Sequence, residues 1–480
     1  MLASLIRRVL PKNRFVRSVS VLAGGTVGGQ ALMVLAAPLL TRLYTPGDFG
    51  LLAVFVGLLS LISVVACMRY EIVIPLPAGD RDGAALFVLS LCSIAAVAVL
   101  GVLPLALWSS QIATLFGSPR LAGYLYLALA GAVLAGACNA LYFWAIRGKA
   151  FSAIANGKLA QPAVTAALQL AGAGMGTLGL LIGQVAGYVA GAGLLALRIP
   201  RRQWTAIASV RGSDMARVGR RYKRAPLVSA WGALFNTAGW QLPPLLFAVL
   251  FDAITAGMYS LANRVLALPV QLIGQATASV FYSGAPAATR DGSLKALVAG
   301  IHGRLAHIGM APLVVLMIAG PEIFSLLFGR DWRQAGVFAQ WLAPWLYLVL
   351  ITSPLSPLFE VLERQGAGLV FQAFELLVRV TAIVAGARTR DTMMTVGLFA
   401  AGNVACTLAS LLWLLRASGN GPAEIWRSTL GALVWAAALA SPLILAVLWD
   451  IDRAPWLLAL AASLLLITAR YAFLLKRAWL

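Results

Sequence analysis

The polar side chains that could carry chemistry in this chain lie inside long apolar stretches. Arg264 is twelve residues into the stretch Ala253–Tyr282, which contains no other charged side chain, and Asn263 directly precedes it. A cation at such depth in a membrane helix is costly unless it has a partner or faces water. The guanidinium group of an arginine carries N–H donors in a planar fork that matches the oxygens of a phosphate. We therefore expect Arg264 to meet an anion in a wet cavity; pairing with a neighbouring carbonyl or carboxylate is the alternative.

A second polar group predicts an internal ion pair. Gln372, Glu375 and Arg379 are three and four residues apart, so a helix places them on one face. A glutamate four residues before an arginine has the favourable orientation for pairing. The pair is interpreted as a self-neutralised structural bridge, with a coupling carboxylate as the alternative.

Enzymatic constellations are missing from the sequence. It has no convincing order of Ser, His and Asp, no Gly-Lys-Ser/Thr phosphate loop and no carboxylate pair in a large loop. The four cysteines and two histidines indicate neither a disulfide framework nor a metal site. We expect a protein that is not an enzyme and has no cofactor or metal.

Membrane helices are the elements that must position these side chains. Hydrophobic residues make up 61% and charged residues 11% of the 480, which excludes an ordinary soluble surface. Apolar stretches of about 20 residues recur, as helical spans require, whereas barrel strands would be about ten residues long and alternating. We predict an all-α polytopic membrane protein with about 14 spans: Val21–Leu40, Leu51–Met68, Ala84–Trp108, Leu121–Ile146, Ala153–Ala173, Thr177–Leu197, Ala225–Phe251, Ala253–Tyr282, Leu305–Phe328, Val337–Val361, Gly366–Ala387, Thr392–Leu415, Leu430–Trp449 and Pro455–Leu475.

The chain has 37 Lys and Arg against 16 Asp and Glu, and the basic residues are divided unevenly between the connections of the predicted spans. Alternate connections, counted from the N-terminus, hold about four times as many basic residues as those between them. This bias predicts cytoplasmic N- and C-termini and an even number of spans. No basic stripe with interleaved aromatic residues remains that would indicate binding to nucleic acid.

The chain divides at its longest cytoplasmic connection. Residues 199–224, which hold nine basic side chains counted with Arg198, separate an N-lobe of six spans at 1–198 from a C-lobe of six at 225–415. Residues 416–480 supply two additional spans. A faint internal repeat places Gly50 over Gly257, as in transporters built from two related halves.

Three blocks of sequence resemble a known family. Leu40–Pro77 contains LTRLYTPGDFG and MRYEIVIPLP, Leu261–Ala288 reads LANRVLALPVQLIGQATASVFYSGAPAA, and Ser353–Gln365 reads SPLSPLFEVLERQ. They resemble bacterial oligosaccharide-lipid flippases of the O-antigen and exopolysaccharide type, within the multidrug/oligosaccharidyl-lipid/polysaccharide exporter superfamily. The resemblance implies two six-helix lobes around a central cavity that opens alternately to either side of the bacterial inner membrane.

The resemblance also implies a polyprenyl-diphosphate-linked glycan as substrate, with Arg264 at the position of a diphosphate-holding arginine. Arg69 and Glu71 match a family block of unclear role, either a gate or a bridge at a helix end. Many relatives have 12 spans, so the last two are additional. The predicted lining of the path consists of Asn263, Gln271, Gln275, Asn236 and Gln241.

The expected partners are the glycan substrate, membrane lipids and glycan polymerase or export proteins, without nucleic acid. An ion gradient, the membrane potential or consumption of the product would drive transport. Two other functions remain open. An ion-coupled multidrug antiporter of the same superfamily would require cavity carboxylates, and a membrane-embedded glycan polymerase or glycosyltransferase would require long external loops.

Overall fold

The computed structural model describes residues 14–449 and 451–479, and every regular element in these ranges is helical. The helices up to Leu250 are α1 (Arg14–Leu43), α2 (Pro46–Ala66), α3 (Asp80–Leu115), α4 (Leu121–Arg147), α5 (Phe151–Ala171), α6 (Thr177–Leu197), α7 (Arg201–Ala208), α8 (Gly212–Arg221) and α9 (Ala230–Leu250). The remaining helices are α10 (Ala253–Arg290), α11 (Leu294–Phe328), α12 (Arg333–Thr352), α13 (Leu358–Val361), α14 (Gln365–Ala387), α15 (Thr392–Ala417), α16 (Pro422–Leu439), α17 (Ser441–Leu448) and α18 (Arg453–Trp479).

The prediction of an all-α polytopic membrane protein is confirmed. Among the described residues, 11 helices are long and apolar enough to cross a membrane, or up to 12 if the bent pair α16 and α17 forms one span. Two predicted spans, α5 and α10, are not in that set, although they are continuous helices of 21 and 38 residues. These two helices carry Lys158 and Arg264, respectively.

The chain forms two compact units, Met1–Gly257 and Met258–Leu480. In the first unit, α9 packs against α2, and the glycine at position 57 lies against Leu245. The predicted lobe limits at 198 and 225 stay a prediction.

The start of α2 is fixed by the first family block. Thr45 and Asp48 form a reciprocal capping box: the Thr45 side chain accepts from the Asp48 N–H, and Asp48 accepts from the Thr45 N–H. The Asp48 carboxylate also accepts from the Thr177 hydroxyl at the start of α6. Tyr44 donates its hydroxyl to the carbonyl of Gln169 at 2.5 Å. The block therefore joins the turn between α1 and α2 to α5 and α6.

The third block has a packing role in the second unit. Leu355 and Leu358 are fully buried in its hydrophobic core, around the break between α12 and α14. The Phe359 ring stacks on Trp413 of α15 with centroids 4.9 Å apart. These contacts fix the segment beside α10, where the glycine at position 274 leaves room for Ser353.

Candidate functional site

Arg264 lies in the interior of α10, about 17 Å along the axis from the first residue of that helix by the usual rise of 1.5 Å per residue. Its side chain is exposed, and no carboxylate of the described residues lies within ion-pair distance of it. The predicted alternative of a carboxylate partner is therefore absent from the part of the chain that the structure describes. A cation placed this way requires water or an anion, because exposure to hydrocarbon would be costly.

Two buried polar atoms accompany Arg264 on the same helix. Asn263 Oδ1 and Ser260 Oγ have no hydrogen-bond partner among the described residues. Buried polar atoms normally have a partner, so each such atom indicates a water, an ion or a ligand. Pro269 has no N–H group. The backbone carbonyl of Val265, four residues earlier, therefore lacks its usual donor within the helix. This segment of α10 therefore has unused capacity for hydrogen bonding around its cation.

Gln271 and Gln275 continue the polar surface of α10. They follow Arg264 by seven and eleven residues, which places all three along one face, and all three are exposed. Gly274 lies about 80° around the helix from this stripe, at a packed position where a Cβ would be only 3.0 Å from Ser353 Oγ. Close packing at Gly274 beside an exposed polar stripe gives α10 a defined orientation within the second unit.

The predicted ion pair between Glu375 and Arg379 is present in the second unit. Arg379 is buried and also donates from Nε to Oδ1 of Asn403 at 2.7 Å, while Glu375 is partly exposed. Trp345 covers the guanidinium, with 5.2 Å from the Arg379 Cζ to the ring centroid. The arginine is thus held from three sides, as expected of a structural bridge; coupling by Glu375 stays a prediction.

Aromatic rings connect this bridge with α10. Tyr259 meets Phe399 edge to face at 5.7 Å, and Phe399 meets Trp345 in the same way at 5.7 Å. Trp345 in turn covers Arg379. Since Tyr259 precedes Arg264 by five residues, the same packed group positions both arginine-bearing helices of the second unit.

The other two predicted path residues lie in the first unit. Asn236 is exposed on α9, and Gln241 donates its amide to Ser60 Oγ of α2 at 3.0 Å. Gln241 therefore has a role in helix packing. That either residue shares a path with Arg264 stays a prediction.

Arg69 and Glu71 form an ion pair of 3.2 Å in the connection between α2 and α3. Arg69 adopts a left-handed conformation with a φ of 60°, and burial of Glu71 raises the pKa of its carboxyl. Arg69 Nε and Glu71 Oε2 lack hydrogen-bond partners among the described residues. The pair is a bridge at a helix end, and its role as a gate is untested.

Sequence reasoning missed the residue that supports this connection. Arg147, at the end of α4, donates to the carbonyls of Ile74, Pro77 and Gly79 at 3.2, 2.6 and 2.9 Å, respectively. It also pairs with Asp80 at 3.1 Å. The only sequence signal was a basic residue at a helix C-terminus, which is common and unspecific. No group of three or more His, Cys, Asp or Glu among the described residues could hold a metal ion.

Comparison with known proteins gives a family and a fold. Residues 39–336 match a family described as polysaccharide biosynthesis protein. A structure titled lipid II flippase MurJ, inward closed conformation, has a TM-score of 0.71 at 11% identity and covers 96% of this chain and 99% of its own. An inward-facing multidrug resistance MATE family transporter of the MOP superfamily has a TM-score of 0.62 at 17% identity, covering 81% and 95%. No curated protein matches.

Proposed function

Because the chain belongs to the family of polysaccharide biosynthesis proteins, we propose that it is a flippase for a polyprenyl-diphosphate-linked oligosaccharide. It would carry this substrate across the bacterial inner membrane by alternating access, for the export of O-antigen, exopolysaccharide or capsule. The likeness to the fold of a lipid II flippase and of MATE transporters supports a transporter rather than an enzyme.

One observation carries the choice of an anionic substrate: the exposed Arg264 has no carboxylate partner among the described residues. A diphosphate cannot cross hydrocarbon without compensation of its charge. Arginine compensates it through two parallel donors that match phosphate oxygens. The adjoining Asn263 and the exposed Gln271 and Gln275 would bind sugar hydroxyls or water.

The transport cycle begins with entry of the head group from the cytoplasm and its binding at Arg264. Rearrangement of the protein then exposes the site to the outside, where the glycan is released. The lipid tail stays in the bilayer throughout, so only the diphosphate and the sugars need a polar path. A glycan polymerase or an export protein would take the product, and its consumption, an ion gradient or the membrane potential would drive the cycle.

A multidrug antiporter is the second candidate, and the likeness to MATE transporters favours it. A cationic drug would need an accessible carboxylate. Glu375 is partly exposed but is already paired with Arg379. The unpaired charge in α10 is positive, which supports the anionic substrate instead.

Binding and export together test the proposal. Native mass spectrometry of the purified full chain would compare undecaprenyl diphosphate with undecaprenyl monophosphate, and glycan export would be measured in cells that lack the native gene. Loss of one charge-assisted contact costs about 1.5–3 kcal/mol, so Arg264→Ala should weaken diphosphate binding roughly tenfold or more. Arg264→Lys should retain part of both activities, because it keeps the charge without the fork.

Arg290→Ala is the matched control, since Arg290 is exposed at the end of the same helix. It should bind and export as the unmodified protein does. Full glycan export by Arg264→Ala at a normal amount of protein would refute the proposed role. Efflux of a cationic dye that requires Glu375, without diphosphate binding, would identify the antiporter.

A further inference from the structure

A cavity of about 230 Å³ lies among the helices of the first unit. Each of α4, α5 and α6 turns one face towards it, because the lining residues of each helix recur at spacings of three, four or seven. The polar members of the lining are Ser63, Asn139, Tyr142, Lys158, Gln161 and Tyr188. Such a collection of side chains is unusual within helices that the composition predicts to cross a membrane.

Glycines bring the walls of this cavity together. Gly187 and Gly191 on α6 lie against α5: a Cβ at Gly187 would be 2.8 Å from the carbonyl oxygen of Gln161, and one at Gly191 would be 3.3 Å from the Gln161 Cβ. On the other side of α5, a Cβ at Gly29 would be 2.7 Å from Pro162. Small residues permit close helix packing in membranes. They therefore fix the backbone that carries Lys158 and Gln161.

Lys158 supplies the only cation among the residues that line the cavity. Its ammonium lies over the Tyr142 ring, 4.8 Å from the centroid, and no carboxylate of the described residues is within ion-pair distance. Lys158 is itself exposed, and at an exposed site a cation–π contact gives only about 0.5–1 kcal/mol. The ring orients Lys158, and an additional anion would complete its compensation.

We infer that this cavity binds one carboxylate-bearing sugar unit of the transported glycan, with Lys158 as the counter-ion of the carboxylate. The inference rests on the proposed function, whose diphosphate site is Arg264. A lysine is a compact point charge without the bidentate fork that favours phosphate. The volume is below the roughly 300–1,000 Å³ of pockets for drug-sized ligands, so one sugar ring fits better than a chain.

The neutral lining suits the remainder of such a sugar. Asn139 and Gln161 each offer amide donors and an acceptor oxygen, and Ser63 and Tyr188 add hydroxyl groups. Selectivity for acidic glycans would therefore reside in the first unit, apart from the residue that recognises the diphosphate.

Saturation-transfer difference NMR on the purified full chain tests this inference with methyl β-D-glucuronide and methyl β-D-glucoside as probes. We expect saturable binding of the glucuronide that is at least tenfold tighter than that of the glucoside. Lys158→Met should abolish this preference, whereas Lys149→Met, an exposed lysine just before α5, should keep it. Equal affinity for the two probes, or an unchanged preference in Lys158→Met, would overturn the inference.

Cys138 offers a second measurement, because its thiol lines the same cavity. In a variant that retains only this cysteine, an anionic methanethiosulfonate reagent should react severalfold faster than a cationic one. Glucuronide should slow the reaction, and Lys158→Met should remove the difference between the reagents. Equal protection by inorganic phosphate would show a general anion site instead and would contradict the sugar assignment.

The two proposals fail separately. Arg264→Ala should leave the preference for glucuronide unchanged, and Lys158→Met should leave the binding of undecaprenyl diphosphate unchanged. If Arg264→Ala retains full export, the diphosphate site is wrong while the cavity can still be measured. If Lys158→Met keeps the preference and remains folded by size-exclusion chromatography, only the sugar site is wrong.

Discussion

Arg379 donates its Nε hydrogen to Oδ1 of Asn403, across 2.7 Å between α14 and α15. Asn403 is fully buried, and its amide nitrogen donates to the carbonyl of Phe399 within α15 at 2.8 Å. Its oxygen is therefore oriented towards the arginine by a second hydrogen bond. The ion pair with Glu375 is one part of a network that joins two helices.

The first prediction is that Asn403→Leu destabilises the protein more than Glu375→Gln does. Leucine at position 403 removes the amide oxygen that accepts from Arg379 Nε. The buried Nε–H group then has no acceptor there, which should lower the free energy of unfolding by about 1–3 kcal/mol. Glutamine at position 375 keeps an acceptor oxygen at a partly exposed position. Thermal unfolding of the purified protein would measure both effects. Thr381→Ala, on the exposed side of α14, is the control; equal losses in all three variants would contradict the network.

The sequence predicted the all-helical membrane fold and the pair of Glu375 with Arg379, because hydropathy and helical spacing are local properties, but of about 14 predicted spans only 11, or up to 12, are long and apolar enough among the described residues. It did not reveal Asn403, which lies 24 residues from Arg379 and meets it only through the packing of two helices. The sequence did not single out Lys158 either, since a lysine near a cytoplasmic end of a span is common. The cavity around it depends on four helices, α2, α4, α5 and α6, that meet in the folded chain, and no single stretch of sequence encodes that arrangement.

The second prediction concerns Arg147, which donates to three carbonyls of the connection between α2 and α3. Arg147→Met should lower the free energy of unfolding by about 1–3 kcal/mol, because these carbonyls lose a charged donor. Gly83→Ala should act in the same direction, since a Cβ there would lie 2.6 Å from Arg147 Nε. Thermal unfolding measures both variants against Lys149→Met, an exposed lysine two residues away. If Arg147→Met unfolds at the same temperature as Lys149→Met, the connection between α2 and α3 does not depend on Arg147.

The third prediction is a pH dependence in the docking of α8. A hydrogen bond from the Arg211 backbone and another from Arg81 hold the pKa of Asp214 below its usual value, and Arg217 bridges Asp214 and Asp82 at 2.9 and 3.0 Å. A lowered pKa in the docked state stabilises docking above the pKa of the released carboxyl, about 3.9. That contribution is lost as the pH falls through the lower, docked value. Protection of Gly212–Arg221 against hydrogen exchange, corrected for the intrinsic rate, should therefore be constant from about pH 7 to 5 and fall below about pH 4.

Asp214→Asn should reproduce this loss of protection at neutral pH, because the amide cannot carry the charge that the arginines face. Asp291→Asn is the control, since that carboxylate is exposed in a separate connection. Unchanged protection of α8 in Asp214→Asn would show that the helix is docked by its apolar contacts alone, such as those of the buried Val218.

The last prediction concerns Gly50 and Gly257, which the internal repeat places at matching positions. In the first unit they face each other at the starts of α2 and α10: a Cβ at Gly257 would lie 2.9 Å from the Gly50 nitrogen and 3.0 Å from the carbonyl carbon of Pro46. Backbone atoms cannot yield as a flexible side chain can. Gly257→Val should therefore separate the two helix starts, at a cost of about 1–3 kcal/mol typical of overpacking.

Thermal unfolding and glycan export of Gly257→Val would be compared with those of Gly232→Val on α9, where a Cβ has no neighbour within 4 Å. Both substitutions introduce the same β-branched residue into a helix, so the difference between them isolates the close approach. Gly257→Val should unfold at a lower temperature than Gly232→Val and should export less glycan. If the two variants unfold at the same temperature, the matching glycines do not determine how α2 meets α10.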